Sequence, residues 1–124
     1  MRIMRLLRRL RWFWQRGRRG WADGDVWSLD YYLARVIAES VEYLRRTNHG
    51  NPCLGTPPRD CENCDCSERY DSALWTISKG FQAYWDSEKL SWQGDWGKQK
   101  EAAMEAALRE SLRLLAEHFR SLWD

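Results

Sequence analysis

Apolar residues recur at helical spacing in four stretches of the chain, and turn-forming residues separate these stretches. An α-helix has 3.6 residues per turn, so side chains three and four positions apart line up on one face. The pattern predicts a first helix over roughly 2–17, a second that ends at about Thr47, a third over about 68–87 and a fourth over about 98–123. No stretch alternates convincingly between apolar and polar residues, so no strand is predicted.

Each predicted helix carries one apolar stripe. In the first helix the stripe consists of Ile3, Leu6, Leu7, Leu10, Phe13 and Trp14. In the second it consists of Val26, Leu29, Leu33, Val36, Ile37, Ser40 and Leu44. In the third it consists of Tyr70, Leu74, Ile77, Phe81 and Trp85. In the fourth it consists of Met104, Leu108, Leu112 (or Ser111), Leu115, Phe119 and Leu122. Gly80 is either a weak point of the third helix or a position of close packing.

Helices of this kind bury their stripes by packing against one another. The predicted fold is therefore all-α: a small helical bundle of three core helices plus a basic amphipathic N-terminal helix. We predict a single domain over 1–124, in which 1–20 is the basic helix and 21–124 is the body. The stripe of the first helix, with Leu6, Leu10 and Phe13, is expected to be buried against the other helices or against a second copy.

Charge is distributed unevenly along the chain. The first twenty residues contain eight arginines and no acid, whereas the whole chain has a net charge of +2. The remainder is therefore acidic, and Asp23 or Asp25 can cap the second helix. A basic segment rich in tryptophan on an acidic helical body predicts attachment to another molecule. No run of about 18 apolar residues occurs, so no transmembrane segment is predicted.

The basic segment is the candidate binding site. Its proposed partner-binding residues are Arg2, Arg5, Arg9, Arg11, Trp12, Trp14, Arg16, Arg18 and Arg19. Arginine pairs with phosphates, and tryptophan suits both lipid headgroups and nucleobases. We favour a protein partner or self-association, and the alternatives are a nucleic acid or an anionic membrane surface. Packing of the stripe on the protein's own body, with the arginines in water or against its acidic faces, is the plainer interpretation.

Four cysteines lie within a loop predicted over 50–67, between the second and third helices. They are Cys53, Cys61, Cys64 and Cys66, in the pattern C-x7-C-x2-C-x-C. A loop of this length needs something to organise it, and four thiolates suit one structural zinc ion. Only the C-x2-C pair has the usual knuckle spacing, so disulfides or free thiols remain alternatives. No other cofactor is predicted.

No residue set predicts catalysis, and we therefore expect a protein that is not an enzyme. Asp30, three residues after Trp27, is more simply a hydrogen-bond acceptor for an indole or an arginine than a catalytic carboxylate. His118 near the fourth stripe is more simply a hydrogen-bonded core residue. The pairs Arg35–Glu39 and Glu42–Arg46 are expected to decorate a solvated helix face.

Several segments carry a resemblance. They are Gly20-Trp21-Ala22-Asp23-Gly24-Asp25-Val26-Trp27-Ser28-Leu29-Asp30-Tyr31, then His49-Gly50-Asn51-Pro52, then Trp75 and Phe81, and finally Leu115-Ala116-Glu117-His118-Phe119-Arg120-Ser121-Leu122-Trp123-Asp124. With the arginine-rich N-terminus, they resemble a group of small bacteriophage proteins. The cysteine loop departs from that group. The resemblance implies a phage or prophage accessory protein in the cytoplasm of an infected bacterial host, and it implies little chemistry.

Overall fold

The computed structural model describes residues 2–49, 66–92 and 97–123, and the chain divides into two compact units, Met1–Leu33 and Ala34–Asp124. Every regular element in these ranges is a helix, so the predicted all-α class is confirmed. The elements are α1 (Arg2–Arg19), the 3-10 helix η1 (Asp23–Ser28), α2 (Leu29–Thr47), α3 (Cys66–Trp92), α4 (Lys98–His118) and the short 3-10 helix η2 (Phe119–Ser121).

Two helices extend beyond their predicted ends. Helix α1 continues through Gly17 and stops at Arg19, where Gly20 takes a left-handed conformation with φ 81°. A glycine can remain inside a helix at some cost, and a glycine in the left-handed conformation commonly ends one. Helix α3 includes Cys66 at its start and Trp92 at its end. Cys66 therefore belongs to a helix and not to the predicted loop.

The core of residues 34–124 is built around α3. Its predicted stripe is confirmed, because Tyr70, Leu74, Ile77 and Phe81 are buried and Trp85 packs against them. The Tyr70 hydroxyl also donates a hydrogen bond to the carbonyl of Ser121, which links η2 to α3.

Helix α2 turns a different face inward from the predicted one. The buried residues are Ala34, Ala38 and Val41, while the predicted Leu33 and Val36 are exposed. Ser40, Leu29 and Val26 are exposed as well. Ile37 and Leu44, from the predicted set, do pack against the core.

Small side chains explain this rotation of α2, because they let two helix backbones approach closely. The Ser78 hydroxyl of α3 donates to the Ala38 carbonyl of α2 at 2.9 Å. A larger residue at position 38 would hold the helices further apart and break this hydrogen bond. Packing geometry therefore outweighs the larger apolar area that the predicted face of α2 would bury.

Helix α4 turns its predicted face towards the core, because Leu108, Leu115 and Leu122 pack there as predicted. Of the two predicted alternatives, Ser111 is fully buried and Leu112 is 48% exposed. The predicted inward position of Phe119, which is 68% exposed, is wrong. The physical reason for the inward position of Ser111 lies opposite it, at Gly80 of α3.

Gly80 is a position of close packing between α3 and α4. A Cβ atom at Gly80 would lie 1.7 Å from Ser111 Oγ and 2.7 Å from the Ala107 carbonyl oxygen. The Ser111 hydroxyl donates towards the carbonyl oxygens of Thr76 and Ala107, each at 2.9 Å. The contact thus satisfies a buried hydroxyl and brings the two backbones together.

An arginine on α2 joins that helix to α3. Arg45 Nε lies 2.9 Å from Glu42 Oε2, and Arg45 Nη1 lies 3.1 Å from Asp71 Oδ1. The predicted pairs Glu42–Arg46 and Arg35–Glu39 are both present. Glu42 is half-buried, however, so it belongs to a charged network between helices and not to a solvated face.

Candidate functional site: the arginine- and tryptophan-rich N-terminal unit

In the unit Met1–Leu33, α1 packs on η1 with its polar side. Gln15 is buried, and its Nε2 donates to Asp23 Oδ2 at 2.7 Å while its Oε1 accepts from the Asp23 backbone N–H at 3.0 Å. The ring of Trp12 lies against Gly24, where a Cβ atom would come within 2.7 Å of Trp12 Cζ2. A larger residue at position 24 would require the Trp12 ring to shift. A glutamine and a tryptophan edge thus form the contact between the two elements.

A carboxylate at Asp25 ties the end of α1 to the start of η1. Arg16 Nε donates to Asp25 Oδ2 at 2.9 Å, and Arg16 Nη2 donates to Oδ1, so the pair is bidentate. The backbone N–H of Ala22 donates to the same carboxylate at 2.7 Å. The hydrogen bond from Arg16 lowers the pKa of Asp25, although burial works in the opposite direction. Asp25 therefore stays ionised and raises the pKa of Arg16 in turn.

Asp23 collects a second set of donors from α1. Arg11 Nη2 lies 3.0 Å from Asp23 Oδ2, and Arg19 Nη2 donates to Oδ1. The hydrogen bonds from Gln15 and then from Arg19 lower the pKa of Asp23. Asp23 or Asp25 was predicted to cap the second helix. Asp25 does accept from the backbone N–H of Ala22, at the N-cap of η1, and η1 runs directly into α2. Both aspartates also bind arginines of α1.

Arginine side chains also stack on the tryptophans of this unit. Arg8 lies over Trp12 at 5.1 Å, and Arg18 lies over Trp14 at 5.2 Å from the ring centroid. Arg19 lies 3.8 Å from the centroid of the Trp21 ring. Such cation–π contacts stabilise each pair by about 0.5–1 kcal/mol at an exposed site.

The other residues of the unit Met1–Leu33 do not cover the apolar side of α1. We call Ile3, Leu6, Leu7, Leu10, Phe13 and Trp14 the α1 stripe. These six side chains are between 56% and 77% exposed. The unit does not cover them because its contact with η1 uses the opposite side of the helix. The predicted burial of the stripe therefore needs a surface outside this unit, and it stays a prediction.

The structure divides the proposed partner-binding residues into two sets. Arg11, Trp12, Arg16 and Arg19 contact η1 or the residues just before it. Among the described residues, Arg5, Arg9, Trp14 and Arg18 form no hydrogen bond or ion pair with η1, although Arg18 stacks on Trp14, and Arg2 is the first residue of α1. Sequence reasoning missed Gln15, Asp23 and Asp25 as the groups that hold α1. The short distance in sequence between Arg16 and two aspartates beyond a glycine turn was the available signal.

Trp27 was expected to be one neighbour of Asp30 on a helix surface. It lies in η1 and is 93% exposed, so the indole is almost entirely in solvent. A single exposed aromatic side chain does not by itself indicate a binding surface. Trp27 is a second exposed apolar feature of this unit, besides the α1 stripe.

The remaining candidates lie elsewhere in the chain. Cys53, Cys61 and Cys64 fall outside the described residues, and Cys66 is half-buried at the start of α3. The structural zinc therefore stays a prediction. The ring of His118 lies 6.2 Å from that of Tyr70, and among the described residues its Nδ1 has no hydrogen-bond partner. The expected hydrogen bond is thus absent at that nitrogen.

No family model, curated protein or solved structure matches this chain. The resemblance to small phage proteins accordingly stays a prediction. In the part of the chain that the structure describes, no helix is both long and apolar enough to cross a membrane.

Proposed function

We propose that this is a small interaction protein without enzymatic activity, which acts by binding through the α1 stripe. The observation that carries the proposal is the orientation of α1. Its polar side is held by Gln15, Arg16 and the aspartates of η1, while six large apolar side chains face away. An amphipathic helix displayed in this way gains free energy only when another surface covers the stripe.

The arginine pairing favours the α1 stripe over the basic side of α1 as the binding surface. Three of the eight arginines in the first twenty residues are engaged with Asp23 and Asp25. These two carboxylates bring negative charge to the side that a nucleic acid would need to approach. A phosphate backbone is bound best by unpaired cations, so nucleic-acid binding is the weaker candidate.

The charged groups with shifted pKa values support binding rather than catalysis. The pKa values of Asp23, Asp25 and Glu42 are lowered by arginine or glutamine hydrogen bonds. A carboxylate that is kept ionised by such partners is a structural anchor and a poor proton acceptor near neutral pH. These three groups therefore serve to hold helices together.

Site-specific photo-crosslinking tests the proposal. A photo-reactive amino acid is placed at Leu10 on the α1 stripe and, as a matched control, at Leu112 on the exposed side of α4. The two leucines have similar exposure, 56% and 48%. In bacterial cells that express the full chain, we expect crosslinked products from position 10 and few from position 112. Equal yields at the two positions would contradict the assignment of the α1 stripe as the binding surface.

A further inference from the structure

We propose that the α1 stripe binds the surface of an anionic lipid membrane, with α1 lying along the boundary between headgroups and acyl chains. This inference rests on the proposed function and names its partner. A helix of 18 residues is about 27 Å long, and such a helix fits in the plane of the interface. The side chains of the stripe would enter the apolar layer.

The composition of the α1 stripe suits a position at the boundary between headgroups and acyl chains. Ile3, three leucines and Phe13 are purely apolar, and all are more than half exposed. Trp14 lies at one edge of the stripe, where Arg18 stacks on its ring. Indole rings are favoured at the headgroup level, because one part of the ring is apolar and the N–H is polar. Trp14 therefore marks the level of the interface along one edge of the helix.

Charge along both edges of the stripe favours an anionic membrane over a protein groove. Arg9 lies one helical turn before Phe13 on one edge, and Arg18 lies one turn after Trp14 on the other. Helix α1 contains no acidic residue. A partner must therefore supply an apolar strip with negative charge on both sides. An anionic bilayer has this arrangement everywhere on its surface, whereas a protein groove would need an acidic rim along each wall.

The packing of η1 keeps its acids away from that surface. Asp23 and Asp25 contact α1 through Gln15 and Arg16, on the side opposite the stripe. Helix α1 can therefore lie on a membrane while the two carboxylates stay in water. Arg9 and Arg18, which are exposed at the two edges of the stripe, lie where lipid phosphates would be.

Vesicle flotation with the full chain tests the inference. Vesicles contain either phosphatidylcholine alone or phosphatidylcholine mixed with phosphatidylglycerol. We expect the protein to float with the anionic vesicles and to bind neutral vesicles at least tenfold more weakly, roughly as expected for several arginines near a charged surface. The Arg9→Gln/Arg18→Gln variant should lose roughly tenfold or more in binding, and high salt should weaken binding of the wild type.

The stripe itself is tested by the Leu7→Asn/Leu10→Asn variant, which should lose roughly a hundredfold in binding because two leucines no longer enter the apolar layer. The matched control is Leu112→Asn on α4, which should bind like the wild type. A second variant, Leu7→Ala/Leu10→Ala, retains helix-forming residues and should also bind weakly. Wild-type levels of flotation in both stripe variants would overturn the inference.

Other outcomes separate the membrane from the remaining partners. Failure of the wild type to float with anionic vesicles overturns the inference. If crosslinking at Leu10 then yields a protein adduct or a dimer, the proposed function stands with a different partner. If the stripe substitutions leave flotation unchanged and crosslinking at Leu10 yields no more product than at Leu112, the proposed function fails as well.

Discussion

At the scale of single residues, the smallest side chains decide how the helices of residues 34–124 approach. Gly80 and Ser111 bring α3 and α4 together, and Ala38 does the same for α2 and α3. At each contact less apolar area is buried than larger side chains would bury. The two backbones are closer together as a result, and a serine hydroxyl has a hydrogen-bond acceptor. Substitutions at these positions should therefore be costly, even though none of the three side chains is large.

Gly80→Ala should destabilise the protein by about 2–3 kcal/mol, because the added methyl group overlaps Ser111 and the Ala107 carbonyl. The matched control is Gly17→Ala, where nothing lies within 4 Å. That change should stabilise α1 by up to about 1 kcal/mol, since alanine is the better helix former. Chemical denaturation measures the first change and amide hydrogen exchange in α1 the second. A Gly80→Ala protein as stable as the wild type would contradict the close contact.

Glu42 predicts an acid-sensitive contribution to stability. Arg45 first, and then Arg46, lower the pKa of Glu42 from 4.5 to about 2. Because the pKa is lower in the folded state, the ionised carboxylate stabilises the fold above about pH 4.5. This stabilisation is lost as the pH falls from about 4.5 towards 2. Its size is on the order of 2 kcal/mol after allowance for partial exposure to solvent.

The Glu42→Gln variant should therefore lose stability at neutral pH and show a flatter dependence on pH between about 5 and 2. Glu105→Gln is the matched control, because Glu105 pairs with Arg109 on the exposed side of α4. Its effect should be about 0.5 kcal/mol or less. Urea denaturation over a series of pH values measures both variants. If stability depended on pH in the same way in both variants, the Glu42 network would contribute no more to stability than an exposed ion pair.

At the scale of elements, the α1–η1 pair behaves as a small structure of its own. Its contact is made of charged and amide groups, with Trp12 against Gly24 as the packed part. A polar contact of this kind determines which side of α1 faces η1, because a shift of one residue along α1 would separate Arg16 from Asp25. The contact between α1 and η1 therefore also determines which side of α1 remains exposed.

Arg16→Gln should loosen this pair of elements. It leaves the buried Asp25 carboxylate without its bidentate partner, which costs about 1–3 kcal/mol in local stability. The backbone N–H of Ala22, which donates to Asp25, should then exchange with solvent faster. Arg9→Gln is the matched control on the same helix and should leave that exchange rate unchanged. Unchanged exchange in Arg16→Gln would refute the role of the Arg16–Asp25 pair.

At the scale of the whole molecule, the two units differ in the sign of their net charge. Residues 1–33 contain eight arginines and three aspartates, a net charge of +5, within a chain whose total is +2. The remaining residues are therefore acidic. This asymmetry suits a protein in which one unit contacts an anionic surface while the other stays in solution.

The proposed zinc ion can be tested on the full chain. We expect one zinc per chain, held by Cys53, Cys61, Cys64 and Cys66, and detected by native mass spectrometry. Removal of the metal by a chelator should leave the helical circular dichroism unchanged and increase proteolysis within 50–65, because the helices have their own core. Cys61→Ser/Cys64→Ser should abolish binding. A mass lower by the hydrogens of two disulfides would favour the oxidised alternative instead.

Much of the architecture can be read from the sequence by itself. Helical spacing of apolar residues identified the four helices, the inward face of α3 and the pairs Arg35–Glu39 and Glu42–Arg46. These properties depend on residues three and four positions apart, so they are local. Of the candidate site, the sequence identified the amphipathic character of α1 and its arginines.

The inward face of α2, the choice of Ser111 over Leu112 on α4, and the orientation of α1 were decided only by the tertiary structure. A count of apolar residues favours the face with more leucine and valine, as at Leu33 and Leu112. The helices instead pack where Ala38, Gly80 and Ser111 allow close approach, because dense contact and satisfied hydroxyls depend on the opposing helix. Helix α1 likewise meets η1 through its polar side, since Asp23 and Asp25 lie beyond the turn at Gly20. Which side of an amphipathic helix is held and which is displayed depends on these partners across the turn.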